Sequence, residues 1–394
     1  LKDKLNYLVS KIADRIFTVQ LPVYGNIQGY NDMKFSNLLV YTVLSGAALI
    51  LATQQPAQAQ RFKDKTIEVF VPAGAGGGLT RTARIFIKFM PNHIAGKPSM
   101  IIKNMPGGGG NKALNFLTSK AKKDGTHLSW GSVNLAGVVG GIPGIRYKPE
   151  DLKIIGTSGD AFTTIVRADL KPGINSPKDI VKAGLVVSGG VGIGRALDVF
   201  TQMSFELLGL ENRHIPSYRN QPKMKAAIMA GEIKALTTGN PGYWAFYAND
   251  ILKKGSAISL YYHSQFNVAS GKARKLGDRY GKGVNHFVDF YQEVTGKAPT
   301  GSKWETYKWY STFMTWPLWL IAPPGASDEV VAELRRAHIA TAKDPAFLAA
   351  WKKQMHDAPN FLTGADAEAV VANFRNISPP ALAYLKKIMG VRSK

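Results

Sequence analysis

Met100-Ile101-Ile102 runs through Lys103 into Asn104-Met105-Pro106-Gly107-Gly108-Gly109-Gly110-Asn111, and a stretch with Ala113, Leu114 and Leu117 follows. The apolar triplet predicts a strand. The glycines predict a turn whose backbone can approach a ligand closely, and the 3–4 spacing predicts a helix. Upstream, Ile67-Glu68-Val69-Phe70-Val71 reads as a buried strand, Pro72-Ala73-Gly74-Ala75-Gly76-Gly77-Gly78 as a turn, and about Thr80 to Met90 as a helix. Downstream, Leu185-Val186-Val187-Ser188 leads through Gly189-Gly190-Val191-Gly192-Ile193-Gly194 into a helix from about Arg195 to Leu208. Asp124-Gly125 predicts a turn and Thr126-His127-Leu128-Ser129-Trp130 a further strand. The tail from Asp328 to Lys394 reads as helices broken at Pro345, Pro359 and Pro379-Pro380. Strands alternating with helices predict an α/β fold with mainly parallel sheets.

A helix that starts straight after a strand offers unpaired N–H groups and a partial positive charge, which together bind anions. One such glycine-rich loop is as readily an ordinary βα turn. Three of them, at the strand ends where α/β folds place ligands, favour a binding site.

The chain has 394 residues, enough for two domains, and at 45% hydrophobic it is too apolar for a disordered protein. It has no Cys, which excludes disulfide scaffolds, thiolate metal sites and Cys nucleophiles. The formal charge of +23 points to anionic partners.

The first residue is Leu1, and the segment 1–32 is expected to be an untranslated upstream stretch. Met33-Lys34 then opens a basic start, Leu38 to Ala52 form an apolar run, and Ala57-Gln58-Ala59 is a small-residue cleavage motif. This pattern predicts a secretory signal peptide over 33–59 and a mature protein from Gln60 in the periplasm. An uncleaved anchor is the alternative, although the run is short for a membrane span.

Catalytic and cofactor motifs are missing. Gly74-x-Gly76 is followed by Leu79 where a dinucleotide fingerprint needs glycine, and Lys112 stands between Asn111 and Ala113, outside any Walker sequence. There is no Gly-x-Ser-x-Gly, and the seven His (93, 127, 214, 263, 286, 338 and 356) have no metal-ligand spacing. No catalytic constellation, metal or cofactor is therefore expected.

These residues resemble the Bug-type solute-binding receptors of tripartite tricarboxylate transporters. Val71-Pro72 with Gly76-Gly77-Gly78 and Ala83-Arg84 resembles the first signature of that family. Asn104-x-Pro106-Gly107-x-Gly109-Gly110-Asn111 resembles the second almost fully. Asp124-Gly125 with Leu128, Ser188 to Gly192, Pro216-x-Tyr218 with Gly231, and Ala322-Pro323-x-Gly325 resemble further elements in order. The departures are Leu79-Thr80 for Thr-Asp, Lys234 for Asp, and a long Lys-bearing segment from Asn267 to Tyr310.

The resemblance implies a periplasmic binding protein type II fold, with two α/β lobes joined by crossover strands and a ligand cleft between them. It puts one lobe at 60–163 plus 316–394 and the other at 164–315. It implies a monomeric receptor for a small carboxylate (a di- or tricarboxylate or an aromatic acid) that serves membrane subunits of the transporter. The candidate cradle is Gly76, Gly77, Gly78, Leu79 and Thr80, with Gly109, Gly110 and Asn111 from the second loop. Ser188, Gly190, Val191 and Gly192 would close from the other lobe. Thr80 and Ser188 would offer hydroxyls, and Gly77 is expected to need space or a positive φ that Val would forbid. Ser188 could instead be a turn residue and Asn111 a helix cap. Arg195 and Arg219 could pair with a second carboxylate. Tyr243, Trp244, Phe246, Tyr247, Tyr261 and Tyr262, and the aromatics from Trp304 to Trp319, could wall an aromatic acid or pack the core.

Two other classes compete. An exported enzyme on the same fold would need a nucleophile–base pair, which the sequence does not display. A nucleic-acid or polyanion binder would need basic residues gathered on one face, whereas here they are spread along the chain.

Overall fold

The computed structural model describes residues 61–391 apart from Ile193, Arg219, Val268 and Ala269. The expected signal peptide, the segment before it and Arg219 lie outside the described residues. The strands are β1 Thr66–Val71, β2 Ser99–Asn104, β3 His127–Gly131, β4 Lys153–Gly159, β5 Phe162–Arg167, β6 Val186–Gly189, β7 Asn212–Ile215, β8 Ala235–Gly239, β9 Ala257–His263, β10 Leu318–Ala322 and β11 Asn360–Thr363. The helices are α1 Gly78–Phe89, α2 Asn111–Ser119, α3 Leu135–Gly140, α4 Ala196–Leu207, α5 Gln221–Ala230 and α6 Asn240–Gly242, which continues as π-helix over Tyr243–Leu252. Then come α7 Phe287–Thr295, α8 Gly301–Met314, α9 Asp328–Lys343, α10 Pro345–Met355, α11 Gly364–Asn373 and α12 Pro379–Ile388. No helix among the described residues is long and apolar enough to cross a membrane.

Two sheets result, β2-β1-β3-β10-β4-β11 and β7-β6-β8-β5-β9. In the first, β1 lies between β2 and β3 and pairs with both in parallel, and in the second β6 lies likewise between β7 and β8. The next position is taken by a strand arriving from the other sheet, β10 in one and β5 in the other, and it runs antiparallel to both neighbours. The sheets are thus less purely parallel than the strand–helix alternation predicts. A crossing strand enters from the end of the other sheet, so its direction is set by that path and not by a βα unit. This is the two-lobed arrangement of the type II periplasmic binding proteins. Strand β11 was not legible in the sequence. The helix before it ends at Met355, with His356 as a left-handed C-cap ahead of the expected break at Pro359, and Asn360 to Thr363 then pair with the edge of β4.

The chain changes sheet between Gly159 and Phe162 and again between α8 and β10. The two crossings are tied side by side. Asp160 N–H donates to the Thr315 carbonyl (3.0 Å), and Gln265 Nε2 donates to the carbonyls of both Asp160 (3.0 Å) and Thr315 (2.7 Å). One apolar cluster, with Ile67, Val69, Phe86, Leu334 and Phe347, packs the first sheet, and another, with Ile165, Ile228, Leu236 and Tyr247, packs the second. A third runs from Val133 and Ile154 through Phe200, Tyr307 and Tyr310 to Leu260, so it spans both halves. Helix α8, from the Lys-bearing segment, carries this bridge by packing on α12 and α3 on one side and α4 on the other.

Candidate functional site

Val71 ends β1, and Pro72 to Gly77 turn the chain into α1. Gly77 is the N-cap residue, no side chain caps the helix, and its first turn has no acidic residue. The loop is shaped by its own bonds. Gly77 N–H donates to the Gly74 carbonyl (2.9 Å), and Thr80 Oγ1 donates to the same carbonyl (2.9 Å). Asn104, at the end of β2, joins the first loop to the second signature by donating to the Ala73 carbonyl (2.7 Å) and to Thr80 Oγ1 (2.8 Å). Thr80 is therefore a fully buried strut and offers no hydroxyl to a ligand, contrary to expectation. Gly76 is exposed, whereas Gly77, Gly78 and Leu79 are half-buried. Gly77 has φ −72°, so the expected positive φ is absent. A Cβ at Gly78 would lie 3.2 Å from Pro241 Cβ, so this helix start faces the other half of the molecule.

The second loop needs its glycines for a different reason. Gly107, Gly108, Gly109 and Gly110 have φ of 136°, 54°, 67° and 100°, all left-handed or beyond the reach of ordinary side chains. Helix α2 starts after Gly110 with no side-chain cap, but its first amides are bonded within the loop: Gly110 and Lys112 N–H donate to the Gly107 carbonyl (2.9 and 3.4 Å) and Asn111 N–H to that of Gly108. Gly109 is exposed and Gly110 buried. Asn111 does not cap α2 with its side chain. It is buried, and its Oδ1 accepts from Tyr147 Oη (3.0 Å), which in turn accepts from Asn134 N–H (3.2 Å). The first two loops meet at Pro72, whose Cβ would lie 3.5 Å from a Cβ added at Gly110.

The third loop corrects the sequence reading most. Asp198, in the first turn of α4, turns back and fills the loop with its own carboxylate. It accepts from Val191 N–H (3.0 Å), from Gly192 N–H (3.2 Å) and from His214 Nε2 (2.9 Å). The amides expected to bind a ligand are therefore already occupied, and a Cβ at Gly190 would collide with the Asp198 carboxylate. Ser188 is equally committed. Its hydroxyl is fully buried and bonds Asn212 Oδ1 (2.7 Å) and His214 Nδ1 (2.9 Å). Ser188, His214 and Asp198 thus form a line of the kind used by serine hydrolases, which the sequence did not display. A nucleophile needs an open face toward its substrate, and Ser188 has none. The line serves as a strut between β6, β7 and α4. One signal for it was legible: α4 has an acidic residue in its first turn, while α1 and α2 have none.

What the second half brings to the open loops is Arg195, the N-cap residue of α4. A Cβ added at Gly109 would lie 3.8 Å from Arg195 Cδ and Nη1, and one at Gly110 3.7 Å from Nη1. Burial draws the guanidinium pKa below its usual value, with Asp198 and Tyr310 pulling it back. Tyr310 is fully buried, its hydroxyl lacks a hydrogen-bond partner among the described residues, and burial, then Asp198, raises its pKa. Arg81, the cation beside the first loop, is turned instead onto the Phe246 ring (5.7 Å). Lys234, where the resemblance leads to an Asp, pairs with Asp169 (3.3 Å).

The two aromatic groups divide. Tyr243, Tyr247, Tyr261, Tyr262, Tyr307, Trp309, Tyr310 and Trp319 are core, while Trp244, Phe246, Trp304 and Trp316 are half-buried. An open cavity of about 300 Å³ lies apart from the loops, between α8 and the α11–α12 turn. Phe266, Trp309, Phe313 and Ile377 make it largely apolar, and its charged residues, Glu305 and Lys308, are opposite in sign. It offers an anion nothing comparable to the start of α1. No group of three or more His, Asp or Glu among the described residues is placed to hold a metal ion.

No family profile matches the chain, and no curated protein matches it by sequence. Solved structures do match. The periplasmic binding protein BugD is similar at 18% identity and a TM-score of 0.61, over 84% of this chain and all of that one. A Rhodopseudomonas palustris protein with adipate is similar at 15% identity and 0.59, over 83% and 97%. MatC from Rhodopseudomonas palustris with bound malate is similar at 16% identity and 0.53, over 82% and 99%. At such identities the likeness establishes the fold.

Proposed function

We propose that this chain, which has the fold of the Bug-type periplasmic solute-binding proteins, is an exported receptor for a small carboxylate. It takes up its ligand between the two sheets and passes it to the membrane subunits of a tripartite tricarboxylate transporter. It acts in the periplasm as a monomer, without catalysis, metal or cofactor. The observation that carries this reading is the open helix start of α1 beside the glycine-rich second loop, against which Arg195 of the other half lies. Backbone N–H groups at helix starts and a guanidinium are both donors without acceptors, and a carboxylate is the small ligand that satisfies both. Malate and adipate in the solved structures of similar fold support the same class.

The test is a thermal-shift screen of the purified protein against mono-, di- and tricarboxylates, each beside its amide. A ligand at 100 times its dissociation constant stabilises by about 2.7 kcal/mol, so a true ligand raises the melting temperature measurably. The acids are expected to do so and the amides not. Equal response to acid and amide, or none to any acid, would overturn the reading.

A further inference from the structure

The segment from Asn267 to Tyr310 departs from the family pattern, and it carries more than lysines. Its Arg274 and Arg279 reach to Asp357, which lies just past α10 in the first half of the molecule. Arg274 is 3.7 Å from the Asp357 carboxylate, and Arg279 pairs with the same group. Arg279 also stands 3.7 Å from Asp160 at the crossing, so two guanidinium groups and two carboxylates balance in charge. Two contacts flank this quartet. The Met355 carbonyl accepts from Asn240 Nδ2 (3.0 Å), and the His356 ring stacks on Trp244 with centroids 3.9 Å apart. Asn240 and Trp244 come from the second half, and Trp244 Nε1 donates to Asn240 Oδ1 (2.9 Å), which fixes the pair.

The backbone of His356 is an independent observation. Its φ is +57°, a left-handed conformation that L side chains enter at a cost. Helices α3, α5 and α7 also end on a left-handed residue, and there it is glycine: Gly141, Gly231 and Gly296. Among the described helices only α10 uses a side chain at such an end, and that side chain is the ring on Trp244. The strain is held where a ring is needed between the halves. The bonds among Asp160, Gln265 and Thr315 stay with the two crossings, where a pivot belongs. Asp357 and Arg274 are by contrast partly exposed, so water reaches their pair and it can break and re-form.

We propose that the stretch 355–357, with its partners Arg274, Arg279 and Trp244, is a clasp between the two halves, and that this clasp sets how readily they separate. It lies beside the pivot and outside the ligand cradle, so it does not depend on which ligand the cleft takes. A ligand gripped by both halves binds in proportion to the fraction of molecules that are closed, so the clasp tunes affinity without touching the ligand.

The chain has no Cys, so Lys88→Cys in α1 and Lys253→Cys just past the π-helix can carry a pair of dyes on the purified full chain. Both positions are exposed and outside the clasp. Energy transfer between the dyes reads the separation of the halves with no ligand added. Asp357→Asn should raise the ratio of wide to narrow molecules roughly two- to five-fold, the range for a partly exposed ion pair. His356→Gly should raise it as well, although glycine is the residue that a left-handed helix end prefers. Asp278→Asn, which removes an exposed carboxylate beside Arg279 but outside the clasp, should leave the ratio unchanged. Added salt should widen the wild type and barely move Asp357→Asn. Urea midpoints of the same proteins separate opening from loss of fold. If Asp357→Asn and His356→Gly both keep the wild-type separation, the contacts are static packing and the clasp is overturned. It is overturned too if His356→Gly only raises the urea midpoint, or if Asp278→Asn widens the halves as much as Asp357→Asn does. Should Asp357→Asn fail to fold, the wild type decides, because a separation indifferent to salt rules the clasp out.

Discussion

Gly110 holds φ at +100° where α2 begins, a conformation that an L side chain enters at a cost of roughly 1–2 kcal/mol. A methyl group there would also press on Pro72 and on Arg195 Nη1, 3.5 and 3.7 Å away. Gly77 is the opposite case, with φ −72° in ordinary extended backbone and its added Cβ tight only against its own loop, 3.2 Å from the Gly74 carbonyl oxygen. Gly110→Ala should therefore lower the unfolding free energy by roughly 1–2 kcal/mol and weaken carboxylate binding. Gly77→Ala should change stability by under about 1 kcal/mol and leave the ligand within a few-fold of wild type. Urea unfolding beside calorimetry measures both. A Gly110→Ala protein with wild-type stability and affinity would show that the second loop tolerates side chains and is not pressed against the site.

Three strand–loop–helix units have the same outline and three different fates. In α1 the first-turn amides have no acidic residue of their own and remain receptive to an outside anion, whereas at α2 the Gly110, Asn111 and Lys112 amides donate back to the Gly107 and Gly108 carbonyls. In α4 the carboxylate of Asp198 comes from inside, braced by His214 and, behind it, Ser188. Asp198→Ala would leave two amides and an imidazole without their shared acceptor in a buried place. It should destabilise the protein by roughly 3 kcal/mol or more, read from the urea midpoint. A small loss would mean that water replaces the carboxylate and that the third loop is open after all. Ser188→Ala should leave ligand affinity unchanged, since its hydroxyl faces Asn212 and His214.

For the molecule as a whole, buried histidines set the response to acid. His338 packs between Phe86 and Phe361, with neither ring nitrogen partnered among the described residues, and burial pulls its pKa down to about 4. His286, in the second half, is pulled down to about 3, by burial first and then by Lys275. The unfolded chain takes up protons near pH 6.5 while these folded sites refuse them. Their stabilising contribution is therefore full above 6.5 and is lost as pH falls toward the folded values. Each loses roughly 1.4 kcal/mol per pH unit in that window. Asp160 at the crossing acts in the other direction. Burial raises its pKa to about 6 despite Arg279, so its contribution is lost as pH rises through 6. With His263 also buried and pulled well below its usual value, three histidines stand against the raised carboxyls of Asp160 and Glu333, so the melting temperature should fall between pH 6.5 and 5, and His338→Leu should flatten that fall. An unchanged slope in His338→Leu would show that the ring is protonated in the folded protein or reached by water.

The sequence by itself determined the local units: which strands empty into glycine turns, where helices begin, and that the apolar content is enough for packed sheets. These depend on residues close together in the chain, on side-chain period and on backbone freedom at glycine. It also marked Arg195 as a possible partner for an acid, but not its place beside Gly109 and Gly110. Only the tertiary structure decided which loops are open. Asp198 reaches Val191 and Gly192 across the turn between β6 and α4 only because that turn brings its carboxylate over them, and Ser188 meets His214 because β6 and β7 pair. Arg195 meets Gly109 and Gly110 because two sheets, joined by β5 and β10, bring together residues far apart in the chain. An amide reads the same in the sequence whether its acceptor is a ligand or a carboxylate from the same protein. What separates the two is a distance, and distances between segments are set by packing.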